Sequence, residues 1–232
     1  GLAGAEVRRG AAAGVLRPLY EQAARSAASP RVAAEGWFQL ADLAYREKQF
    51  PAAAAAYDQL FKLHPADERV PAARLPAAWA FFHTGRAGEA LKMAHAALAR
   101  TPVELLPEWL YLKGNCERQL QQGEAARASY ARLLREQPDH ALATAAAYEQ
   151  ALVAFELRDH AAVVALSGGT FTNEYAEDLL WMRAESQSAL GQRAEALAGY
   201  RQLAERFPRS PRVLPADFQR ARLLREQNDL AA

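Results

Sequence analysis

Residues 53–65, AAAAYDQLFKLHP, and residues 196–208, ALAGYRQLAERFP, carry Ala, Tyr, Leu and Pro at the same spacings: Ala53, Tyr57, Leu60 and Pro65, then Ala196, Tyr200, Leu203 and Pro208. Positions i, i+4 and i+7 share one face of a helix, so each stretch reads as an amphipathic helix that ends at a proline. Ala126, Tyr130, Leu133 and Pro138 repeat the spacing, and Ala90, Ala94, Ala97 and Pro102 repeat it with alanine in the aromatic place. Pro30, Pro65, Pro102, Pro138 and Pro208 are separated by 35, 37, 36 and 70 residues, and Asn173 stands where the doubled gap lacks its proline. A period of this length is the signature of a helical repeat and decides the fold before any motif is considered.

Upstream of each proline-terminated helix lies a first helix with small residues near its middle: Leu40-Ala41, Ala77-Ala78, Gly114, Ala151 and Ala184. Gly85 and Gly191 occupy one equivalent place between the two helices, suited to the positive φ of a helix C-cap. Ala, Leu, Arg, Glu and Gln dominate, and no period-2 stretch of β-branched residues interrupts them. The chain therefore reads as all α.

These residues resemble the tetratricopeptide repeat, with Trp37, Leu40, Ala41, Ala53, Tyr57 and Pro65 at its pattern positions, and the resemblance runs from about residue 17 to 232. It implies a right-handed superhelical solenoid of antiparallel helix pairs in a single domain over 1–232. The expected division is a partial N-terminal repeat in 1–33 with its helix near 17–29, and five repeats over 34–210, at 34–67, 71–104, 107–140, 144–173 and 177–210. An unpaired first helix near 214–230, within 211–232, completes it. Ser167-Gly168-Gly169-Thr170 should shorten and kink the second helix of the fourth repeat. The last helix presents Leu214, Phe218, Ala221 and Leu224 with no polar cap, which suggests a fragment of a longer array or an end that packs on something.

In this family the first helices line the concave face, so the resemblance implies binding residues at their fifth, ninth and twelfth positions. The fifth are Phe38, Leu75, Tyr111, Tyr148, Trp181 and Phe218; the ninth Asp42, Trp79, Asn115, Leu152, Glu185 and Arg222; the twelfth Tyr45, Phe82, Arg118, Phe155, Ser188 and Arg225. Nine of the 21 aromatic residues fall on these positions, a large share and apt for gripping an extended or helical partner segment. Packing between successive first helices would also use such rings. The carboxylate clamp of chaperone-binding members is missing, because Phe38, Asp42 and Leu75 stand where Lys and Asn are needed and Lys113 with Asn115 does not restore it.

With 28 Lys plus Arg against 27 Asp plus Glu, the net charge of +1 gives no electrostatic case for nucleic acid or an anionic membrane. No apolar run approaches the roughly 18 residues of a membrane-spanning helix, and the first residue is Gly1 rather than Met. One cysteine, Cys116, excludes an internal disulfide and a thiolate zinc site, and its place beside Gly114 suits a buried thiol. His64, His83, His95, His140 and His160 lack the i, i+4 spacing of paired ligands, and His64 and His140 should be exposed beside their prolines. No nucleophile elbow, phosphate-binding loop or zinc-protease motif occurs. Glu124 with Arg127 and Arg132 with Glu136 look like ordinary solvated helix pairs.

The reading is a non-catalytic scaffold without cofactor or metal that binds another protein in an aromatic groove. Units of 35–37 residues resemble the bacterial envelope subgroup of the family, which includes the periplasmic Tol–Pal partner and the outer-membrane assembly lipoprotein. That resemblance implies a periplasmic or envelope setting, with the cytoplasm as the other location. A periplasmic scaffold of an exopolysaccharide exporter, and an oligomerisation module joined through uncapped ends, are the alternatives.

Overall fold

The computed structural model describes residues 14–26, 29–100, 105–168 and 174–229. Among these every regular element is a helix. The helices fall into two compact units, Gly1–Leu120 and Gln121–Ala232. The first holds α1 (14–24), α2 (Pro30–Arg46), α3 (Phe50–Leu63), α4 (Val70–His83), α5 (Ala87–Leu98) and α6 (Leu106–Gln119). The second holds α7 (Gly123–Glu136), α8 (Ala143–Glu156), α9 (His160–Leu166), α10 (Ala176–Ala189), α11 (Arg193–Arg206) and α12 (Val213–Asp229).

Within each unit consecutive helices pack side by side, and first helices also meet, α2 with α4, α4 with α6, and α8 with α10. The core of the first unit is mostly alanine: Ala41, Ala53, Ala73, Ala77, Ala78, Ala90 and Ala94 are fully buried around Tyr57, Leu60 and Leu112. Short side chains at the contact let helix axes approach closely, and one bulky side chain per turn fills the space between. Gly114 is buried where Ala41 and Ala184 are, consistent with one register for all three first helices.

The helix starts are written locally. Prolines occupy the first turn of α2, α3, α4 and α6, where a missing N–H leaves nothing unpaired. Asp159 caps α9 by accepting from the Ala162 N–H at 3.1 Å. Before α4, the Asp67 side chain accepts from the Arg69 N–H at 3.0 Å; before α12, Ser210 accepts from the Arg212 N–H at 3.0 Å. Before α8, the His140 ring accepts from the Leu142 N–H at 3.2 Å, so His140 is half-buried rather than exposed, as is His64. The arginines of these turns then staple neighbouring first helices. Arg69 reaches Glu35 at 2.5 Å, and Arg212, four repeats on, pairs with Asp178.

The turn between first and second helices is left-handed in five places. Gly85 and Gly191 have φ of 80° and 75°, as their spacing implied, while Lys48, Gln121 and Arg158 hold the same place at 58°, 62° and 59°. The C-terminal bonds are those of a Schellman motif, with Gln49 N–H donating to Ala44 O at 2.8 Å and Arg86 N–H to Phe81 O at 2.8 Å. A side chain in this conformation costs about 1–2 kcal/mol, partly offset by the stiffer unfolded chain. Lys48→Gly and Arg158→Gly should each stabilise the protein by about 0.5–1 kcal/mol, and Gly85→Ala should destabilise it by a similar amount, measured as shifts in urea midpoint.

In the fourth repeat α9 is only 7 residues long against 14 in α7, so the second helix is shortened as its glycines implied. Gly169, Thr170 and Asn173 of that segment, and Pro102, lie outside the described residues.

Candidate interaction face

In the first unit the fifth, ninth and twelfth positions lie on one line along α2, because 38, 42 and 45 are one turn apart. Phe38, Tyr45, Leu75, Trp79 and Phe82 are half-buried, one side of each packed on the alanine core. Trp79 is the hub: its ring lies 5.7 Å from Phe82, 5.8 Å from His83 and 6.2 Å from Tyr111 on α6. Phe50, at the start of α3, stacks on His83 at 4.1 Å and meets Tyr45 at 5.7 Å. Rings from four helices thus form one continuous surface. Phe50 and His83 belong to it although neither holds a counted first-helix position: Phe50 opens α3 and His83 closes α4. Desolvation beside these rings lowers the His83 imidazole below its ordinary value.

The polar positions are occupied from within. Asp42 bonds Arg46 at 2.5 Å, and Lys113 pairs with Glu117. Asn115 is half-buried on α6. Cys116 is buried, and desolvation, with the nearby Glu117 charge, pushes its thiol up to about 12, so it is inert at neutral pH.

In the second unit Tyr148 stacks on Tyr175 at 4.3 Å and donates to Asp178 at 2.9 Å. Phe155 meets His160 edge-on at 6.5 Å, and Trp181 packs 5.8 Å from Tyr200. Glu185 accepts from the Tyr200 hydroxyl at 2.5 Å, so this ninth-position carboxylate is tied to the second helix rather than held open for a ligand. Phe218 differs from the other rings: it is 68% exposed on α12. Glu124 and Arg132 pair with Arg127 and Glu136 as their spacing implied, but Arg127 also reaches Asp159 at 2.9 Å and so joins α7 to the start of α9.

Among the described residues no three His, Cys, Asp or Glu side chains converge as metal ligands, and no helix is long and apolar enough to cross a membrane. What the geometry offers is an apolar, ring-lined surface with few uncommitted charges.

The sequence pattern of the tetratricopeptide repeat matches residues 35–67, 110–140 and 178–210. Each unit has the tetratricopeptide-type fold. Among solved structures the chain is similar to the MamA protein at 16% identity, with 74% of this chain and 90% of that one covered and a TM-score of 0.62. It is similar also to YrrB, described as a tetratricopeptide protein with an unusual peptide-binding site, at 17% identity over 79% and 91% of the two chains, with a TM-score of 0.63. A tetratricopeptide protein from Parabacteroides merdae ATCC 43184 aligns at 18% identity over 85% and 75%, with a TM-score of 0.64. No curated protein matches the chain. At these identities the likeness is one of fold, and each of the three tetratricopeptide matches ends two residues past the proline that closes its unit.

Proposed function

We propose that this protein is a non-catalytic scaffold that binds a segment of another protein on the ring-lined face of its first helices, within a bacterial envelope assembly. The observation that carries the reading is the cluster around Trp79, where rings from α2, α3, α4 and α6 keep one side on the core and the other open. Rigid aromatic side chains lose little entropy on binding and give large contact area, which suits an apolar helix or extended segment. The described peptide-binding site of YrrB supports such a use of the fold. The envelope setting rests on the 35–37-residue units and their resemblance to the envelope subgroup.

The test is a pull-down from bacterial envelope extract, comparing wild type with a Trp79→Ala, Phe82→Ala, Trp181→Ala variant whose helical circular dichroism is unchanged. Hot-spot rings contribute about 2 kcal/mol or more each, so the partner band should weaken at least about 30-fold. Bands of equal strength from the folded variant would show that the rings serve packing alone.

A further inference from the structure

α4 carries a proline in its interior. Pro76 is the seventh of the helix's 14 residues, and it shares one stripe with Ala72, Trp79 and His83, each one turn from the next. Proline has no N–H, so the Ala72 carbonyl loses the donor that residue 76 would supply, and Ala72 is exposed. A backbone acceptor is thereby left open beside the rings. The same surface holds open donors. The Tyr45 hydroxyl and the Trp79 indole N–H bond no other described residue, and neither atom is buried. The charges beside them on α2 are committed: Asp42 to Arg46, and Glu35 to Arg69 at 2.5 Å and to Gln39 at 2.7 Å. The face of the first unit therefore offers rings together with neutral donors and a neutral acceptor.

We infer that this face takes an extended, uncharged, proline-bearing segment of its partner in the polyproline II conformation. The inference rests on the reading of the ring-lined face as a binding surface and names what that surface binds. A helical segment keeps its interior carbonyls and N–H groups bonded within itself, so it would cover Tyr45, Trp79 and Ala72 and leave their polar atoms without partners. A bound strand needs a sheet edge, and among the described residues there is no strand to offer one. A polyproline II segment has no internal hydrogen bonds. Its carbonyls are free to accept from the tyrosine and tryptophan, and the N–H of a non-proline residue is free to donate to Ala72. Its preformed geometry keeps the entropy of ordering low, and its pyrrolidine rings lie well on aromatic faces. Charged side chains would lose their hydration there beside groups whose charges are already paired.

The experiment titrates a pair of capped, uncharged peptides of about 12 residues into the protein by calorimetry, one repeating Pro-Leu-Pro-Ala and one repeating the helix-forming Ala-Leu-Ala-Gln. The proline peptide should bind at least about 10-fold more tightly than the helix-former. Tyr45→Phe keeps the ring and removes the hydroxyl, and should weaken that binding about 5-fold. Pro76→Ala should weaken it by a similar factor while raising the urea midpoint, because the restored N–H bonds the Ala72 carbonyl within the helix. A proline of structural importance alone would move the midpoint and leave the affinity as it was. No binding of the proline peptide at about 1 mM overturns the inference, as does tighter binding of the helix-former, or an affinity that neither variant changes. If the helix-former binds more tightly and Trp79→Ala with Phe82→Ala abolishes its binding, the inference falls while the ring-lined face stands as a binding surface. That broader reading fails separately, on an unchanged partner band from the folded triple variant.

Discussion

Replacing Gly36 by alanine is expected to release α1 from the first unit while leaving α2 to α5 folded. Gly36 lies on α2 against the backbone of α1, and a Cβ built there would sit 2.2 Å from the Ala24 nitrogen and 2.7 Å from its Cα. Backbone cannot swing away as a side-chain tip can, so the whole of α1 must move outward by more than an ångström. Little resists that movement. Besides its packing on α2, α1 is tethered by Arg17, which reaches Glu47 at 2.5 Å and Gln49 at 3.1 Å. Surface ion pairs of this kind contribute up to about 1 kcal/mol. An 11-residue helix with Pro18 in its second turn has no independent stability once undocked. Hydrogen exchange should therefore show residues 14–24 losing protection by about 2–4 kcal/mol, the range for severe overpacking and lost burial, with α3 to α5 unchanged. Unaltered exchange over 14–24 would mean that α1 does not depend on this contact.

Tyr57→Phe and Tyr200→Phe should change stability in opposite directions, although the two tyrosines hold the same place in repeats 143 residues apart. Both rings are fully buried. The Tyr200 hydroxyl donates to the Glu185 carboxylate at 2.5 Å; the Tyr57 hydroxyl is buried with no hydrogen-bond partner among the described residues. The difference comes from the facing first helix. Glu185 is long enough to reach back, whereas its counterpart Asp42 is one methylene shorter and is drawn to Arg46. Removing a hydroxyl bonded to a charge costs about 1.5–3 kcal/mol, and removing an unsatisfied buried one relieves about 1–3 kcal/mol of desolvation. Tyr200→Phe should lower the urea midpoint and Tyr57→Phe should raise it. Two shifts of the same sign would show that the ninth-position side chain does not decide the matter. Burial raises both phenols further above their ordinary values, so neither hydroxyl ionises near neutral pH.

How much of the ring-lined face was legible follows from the same geometry. Phe38, Tyr45, Trp79 and Phe82 could be placed on one face because the family resemblance implies which positions of each first helix line it, and the 3.6-residue repeat brings those positions together within a helix. Phe50 and His83, which turn separate rings into one surface, were invisible to it, since Phe50 follows a turn directed by left-handed Lys48 and meets His83 only where α3 packs on α4. Gly85 advertises such a residue; Lys48 and Arg158 do not, because the Schellman bonds of Gln49 to Ala44 and Asp159 to Ala154 hold them there against their own preference.

By itself the sequence determined the helices, their pairing into units of 35–37 residues, the shortened α9 and the buried state of Cys116, all of which depend on local preference and on which face is apolar. The tertiary structure alone decided that Glu185 serves Tyr200, that Arg69 and Arg212 staple successive first helices, and that Gly36 admits α1. These outcomes turn on distances between helices. An alanine core draws the axes together until a single methylene determines whether a side chain reaches its partner.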